Sequence, residues 1–154
     1  LEVVKALSSA YNVSLTAAAV KFIQISKEDC MAVFSRDGIV RWWRKGKEYS
    51  SIPGIEKHHP LHPESESSEV FRGRKESAKM VRVPNEAWFP WMRERRGFEV
   101  YEQSIRLGNY PTILTILWVI SESWLLLLGI ETRGPVAKQD KTLRDSYVGN
   151  ILFA

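Results

Sequence analysis

Residues 1–26 carry apolar positions at helical spacing in two runs. Leu1, Val4, Leu7 and Tyr11 recur so as to line one face of a first helix. Asn12-Val13-Ser14 interrupts that run, and Ser14 is placed to cap a second helix that turns Ala18, Ala19, Phe22 and Ile23 inward. From residue 30 the period shortens. Residues 30–35 read as a buried strand, Asp37-Gly38 supplies a hairpin turn, and residues 39–44 return as a second strand. Simple alternation puts Ile39, Arg41 and Trp43 on one face and Val40, Trp42 and Arg44 on the other. Neither face is purely polar, so both are expected to make contacts.

Residues 45–63 hold Gly46, Pro53, Gly54, Pro60 and Pro63 and read as loop. A short helix is predicted over 64–71, with Pro63 just ahead of it and acidic residues in its first turn. A strand over 78–83 stops at Pro84. Residues 85–91 form a short helical or irregular aromatic segment, and 93–97 a charged turn. Residues 98–107 alternate apolar and polar as a strand, Gly108-Asn109-Tyr110-Pro111 turns the chain, and 112–120 are a β-rich buried strand. About five strands and a helix pair grouped at the start define an α+β class with a mainly antiparallel sheet.

Composition narrows this further. A chain of 154 residues, 44% hydrophobic and 26% charged, suits one domain with a small appendage. The lone Cys30 excludes an internal disulfide and is expected to be a small buried residue at a strand start. The net charge is +4, yet residues 71–96 hold eight Arg/Lys against three Glu. That basic stripe attracts phosphates or acidic partners through a field that salt weakens, or is simply a solvated surface. Residues 113–130 approach the length of a membrane span. Ser121-Glu122-Ser123 sits at their middle, where a carboxylate costs roughly 2.5–3.5 kcal/mol. A buried strand, a polar turn and a short apolar segment is the preferred reading, with no membrane partner.

Candidate chemistry is sparse. The three histidines fall together in His58-His59-Pro60-Leu61-His62-Pro63; His58 and His62 are four apart, but the prolines disfavour a regular helix and no Glu lies between them. Metal ligation is therefore not assigned, and no nucleophile–base pairing is suggested. Arg41-Trp42-Trp43-Arg44-Lys45 interleaves cations and aromatics as nucleic-acid stacking surfaces do. Trp88, Phe89 and Trp91 form a second aromatic cluster that suits either a core or a pocket wall. Arg41, Trp43, Trp88, Trp91, Arg93, Arg95 and Arg96 are the candidate ligand- or partner-binding residues; no catalytic residue is assigned.

Three segments carry a family resemblance: LEVVKALSSAYNVSLTAAAVKFIQIS over 1–26, MAVFSRDGIVRWW over 31–43, and residues 83–118 with Trp88-Phe89, Glu102-Gln103-Ser104 and Leu114-Thr115-Ile116-Leu117-Trp118. In that order they resemble the portion that follows the zinc domain in ImmA/IrrE-type metallopeptidases, with Lys21 and Tyr11 departing from the family's usual Arg and Phe. The resemblance implies a helix-turn-helix-like bracing segment over 1–26 and a GAF-like sensor domain over 27–122, leaving 123–154 without an assigned role. It implies a cytoplasmic bacterial stress regulator. In the family a zinc peptidase cleaves a helix-turn-helix transcriptional repressor, and the sensor portion modulates that cleavage in response to a small-molecule signal. Zinc is then expected only in an N-terminal peptidase domain missing from this chain, which opens within a helix and closes on apolar Ile151-Leu152-Phe153-Ala154 as if cut from something longer. That domain and the repressor are the implied partners.

The outer side of the second helix, with Thr16, Ala17, Val20, Lys21 and Gln24, is too apolar to read DNA strongly. Packing against the zinc domain or the sheet is the expected role. Two other classes stay open: a stand-alone nucleic-acid-binding module with weak, non-specific affinity through the basic stripe, and an adaptor that binds a protein through the apolar residues 124–130.

Overall fold

The chain opens with two helices, α1 (Glu2–Tyr11) and α2 (Leu15–Ile25), in a computed structural model that describes residues 1–47, 54–92 and 97–121. Asn12 ends α1 in the left-handed region at φ 49°, and its N–H bonds back to Ser8 and Ser9. The Ser14 hydroxyl then accepts from the Ala17 N–H at 3.1 Å and caps α2, as its position in the sequence predicts. Tyr11 departs from expectation. It is 73% exposed, whereas Leu1 and Val4 are buried and Leu7 packs at the margin, so the apolar face of α1 is covered only over its first two turns.

Five strands follow: β1 (Cys30–Arg36), β2 (Ile39–Lys45), β3 (Val81–Val83), β4 (Phe98–Arg106) and β5 (Thr112–Ser121). They form one sheet in the order β2-β1-β5-β4-β3, with every neighbouring pair antiparallel. The α+β class, with a helix pair preceding an antiparallel sheet, is thus the observed architecture. Asp37 and Gly38 make the two-residue turn between β1 and β2, and both have positive φ (56° and 73°). That is the backbone a tight hairpin of right-handed twist requires.

Simple alternation fails in β2. Phe34 pairs with Trp42 but Ser35 pairs with Val40, so Arg41 is an extra, bulged residue. The bulge brings Val40 and Trp43 to the same face and sends Trp42 and Arg44 to the other, correcting the alternation expected for residues 39–44.

Two cores result, one on each face of the sheet. The helix pair lays Val4, Ala18, Ala19 and Ile23 over Ala32, Tyr101, Ile116 and Trp118. Cys30 lies in this core at the start of β1, and burial pushes its thiol up to about 11, so it is an inert packing residue. Each fully buried Val, Leu or Ile side chain here contributes about 1.5–3 kcal/mol.

The opposite face is covered by the β2–β3 crossover, of which residues 46–47 and 54–80 are described. Its own helix, α3 (Glu66–Phe71), starts two residues later than the sequence pattern predicts, because Ser65 is the cap and accepts from the Ser68 N–H at 3.1 Å. The strand expected over 78–83 is confined to β3. The Ala78 carbonyl accepts from the Gln103 side chain instead of entering a ladder. Residues 85–91 form two 3₁₀ turns, Asn85–Ala87 and Pro90–Met92. Met31, Val33, Val40, Val100, Leu117, Trp88 and Phe89 make the core beneath. The predicted charged turn over 93–97 falls mostly outside the described residues, and the apolar segment 124–130 falls wholly outside them.

No described helix is long and apolar enough by itself to cross a membrane. The β-rich end of the span-length segment 113–130 is the centre strand β5, paired on both edges.

Candidate functional site

The polar centre of the molecule lies between α3 and β4. Along β4, Phe98, Val100, Glu102 and Ser104 share the crossover face, so an apolar stripe turns polar halfway along the strand. α3 meets that polar half with Glu66, Ser67 and Ser68, all buried, and Val70 as its one buried apolar residue. Glu66 is 1% exposed and Glu102 is fully buried.

Their hydrogen bonds join separate elements. Glu102 Oε1 accepts from the Ser67 N–H at 2.5 Å, and Oε2 accepts from the Trp88 indole N–H. Glu66 Oε2 accepts from the Ser104 N–H at 3.2 Å and Oε1 from the Ser77 N–H at 3.3 Å. Ser104 Oγ and Thr115 Oγ1 are 2.8 Å apart, which carries the polar layer onto β5. Nearby, Glu76 accepts from the Arg106 N–H at 2.8 Å, and the Arg106 guanidinium donates to the Val70 and Phe71 carbonyls at 2.6 and 2.9 Å. That guanidinium satisfies the end of α3.

Both buried acids hold protons more tightly than a free carboxyl. Burial pushes Glu66 up to about 7; the N–H donors of Ser77 and Ser104 and the charge of Arg74 pull back, while Glu76 adds to the rise. Burial likewise pushes Glu102 up to about 7 against the pull of Trp88 and Ser67, with the charge of Glu66 adding to the rise. Among the described residues neither carboxylate makes an ion pair. This is a pair of proton-holding groups enclosed in the core. Sequence reading does not single it out: Glu102 enters only as part of a resemblance motif and Glu66 only as a first-turn acid.

The sequence-predicted residues are dispersed. Trp43 packs against the crossover-side core, donates its indole N–H to the Ile55 carbonyl at 2.5 Å, and lies flush against Gly54. Trp88 belongs to the same core and serves as the donor to Glu102. Trp91 is 40% exposed and meets the buried Phe89 edge-on, with centroids 5.9 Å apart. Arg41, on the bulge, pairs with Asp37 at 3.7 Å. Arg93, Arg95 and Arg96 lie outside the described residues. Within the rest of the basic stripe, Arg72 and Arg74 face Glu69 at 3.1 and 3.9 Å, and Arg82 faces Glu99 at 3.3 Å. On the helix-side face, Phe34 and Trp42 stack in parallel at 5.3 Å, with the Arg44 guanidinium 5.9 Å from the Trp42 ring centre.

The histidines do not converge. His59 and His62 use their Nδ1 atoms on the Pro60 carbonyl and the Glu64 N–H, and His58 sits at φ 63° beside β2. Among the described residues no three His, Cys, Asp or Glu side chains group as metal ligands. Compared with known proteins, the chain matches no family model and no curated protein.

Proposed function

We propose that this chain is the regulatory, sensor portion of a zinc metallopeptidase of the ImmA/IrrE type, acting on a peptidase domain that cleaves a helix-turn-helix repressor. The observation that carries the sensor reading is the crossover seated over a buried acidic layer, with the helix pair on the far side of the same sheet. On this reading the crossover has a seated and a lifted state, and a signal that binds one of them better shifts the population toward it. The antiparallel sheet and preceding helix pair are compatible with the GAF-like and bracing roles that the sequence resemblance implies. The peptidase, its zinc, the repressor and a cytoplasmic setting rest on that resemblance alone.

The test is repressor cleavage by the chain joined to a zinc domain. Substitutions in the acidic layer that leave the zinc content unchanged are expected to alter the cleavage rate or its response to signal. Cleavage indifferent to every such substitution, and to removal of residues 27–122, contradicts the proposal.

A second reading has one observation in its favour. The parallel Phe34–Trp42 stack with Arg44 over it is a platform on which a base could stack, and it supports a weak nucleic-acid-binding module.

A further inference from the structure

The crossover is held on the sheet at α3 by carboxylates more than by apolar contact. Glu102 of β4 takes the Ser67 N–H of α3 and the indole N–H of Trp88, which follows the first 3₁₀ turn. Glu66 of α3 takes the Ser104 N–H of β4 and the Ser77 N–H of the loop beyond α3. Two acids thus tie two segments of the β2–β3 connection, α3 and the loop beyond it, together with Trp88 of the β3–β4 connection, to one strand, and both are shielded from water. The charged groups that face them are few. The loop after α3 offers Arg74 and Glu76; β4 offers Arg106, whose guanidinium is engaged by the α3 carbonyls. From β5 comes the neutral Thr115. Glu69, the remaining acid of α3, is turned outward to Arg72 and Arg74. Among the described residues no cation bridges the pair, so a second negative charge in this layer is opposed by burial and by the first.

We propose that Glu66 and Glu102 make the β2–β3 crossover a proton-dependent clasp, seated on β4 while these carboxyls carry protons and biased toward a lifted form when they ionise. The lifted form brings both carboxylates to water, where charge is cheap, and the protons pass to solvent. Since each acid retains its proton more tightly when buried, raising the pH favours lifting. This holds for the chain itself, whether or not it serves a metallopeptidase.

Hydrogen exchange on the full 154-residue chain tests it, with rates corrected for intrinsic pH dependence. Protection over 62–77 is compared with protection in β1 and β5 at about pH 5.5 and about pH 8.5. The expected result is a loss of protection over 62–77 of about tenfold or more relative to the strands, because each pKa unit between seated and lifted forms is a factor of ten in the opening equilibrium. The double variant Glu66→Gln, Glu102→Gln removes most of that loss, and Glu69→Gln retains it. Should the double variant not fold, the two single variants carry the comparison, each losing part of the effect. Equal relative protection at both pH values in the unmodified chain overturns the proposal. So does an undiminished loss in the glutamine variants.

Discussion

Replacing Glu102 by Gln removes a titrating group from the centre of the sheet while keeping its shape. The buried carboxyl is held at about 7, against 4.5 for a free glutamate. Between those values the folded chain binds more protons than the unfolded chain, so stability falls as pH rises through this window and is flat above it. For this one group the fall amounts to about 3 kcal/mol. The substituted amide does not titrate. Its oxygen can accept from either Ser67 N–H or Trp88 Nε1–H, but its NH₂ group cannot accept the other as the second carboxylate oxygen does. Leaving one buried N–H donor facing the amide NH₂ costs about 1–3 kcal/mol at low pH, where the wild-type acid is neutral. By about pH 8 the variant has escaped the cost of an ionised buried carboxylate, so the difference shifts in its favour by about 3 kcal/mol. The two stability curves therefore converge as pH rises. Urea unfolding followed by far-ultraviolet circular dichroism at a series of pH values measures both. A difference between wild type and variant that is constant from about pH 5 to about pH 8, or that grows in favour of wild type, refutes the reasoning.

Three further outcomes are expected. Gly38→Val should destabilise the chain by more than about 1 kcal/mol, since Gly38 has φ 73° and its Cβ would meet the Phe71 ring at 3.2 Å; thermal unfolding checks it. Gly54→Ala should displace the Trp43 indole that lies against it and cost about 1–3 kcal/mol, read from chemical unfolding together with a shift in tryptophan emission. Nucleic acid should bind no tighter than about 10⁻⁶ M at physiological salt, with affinity falling steeply as salt rises; nanomolar, sequence-selective binding in a titration contradicts the sensor reading.

Local pattern carried the elements well, since each is set by neighbours in sequence. Ser14 caps where a capping residue stands before an apolar run, and Asp37-Gly38 turns where two positive-φ residues are needed. The β2 faces were not legible, because the extra residue at Arg41 depends on how Ser35 and Phe34 register with the partner strand. Nor was the exposed end of α1, because whether Tyr11 is covered depends on tertiary contacts that helical spacing does not encode. The acidic layer was the least legible of all. The residues of α3 are polar on most sides, which in a sequence reads as a solvated helix. Only the fold brings that polar face onto the Glu102–Ser104 half of β4. The usable signal was the change from apolar Phe98 and Val100 to polar Glu102 and Ser104 at strict two-residue spacing. A polar run on a face that starts buried calls for a polar partner.

The central claim, that this is the sensor portion of a zinc peptidase, is tested most directly by the coding sequence immediately upstream of the Leu1 codon. An in-frame H-E-x-x-H helix is expected within the preceding ~100 residues, about one domain's length, with two histidines a helical turn apart to hold zinc and the glutamate as general base. A reading frame that starts at or just before Leu1 with no such helix contradicts it.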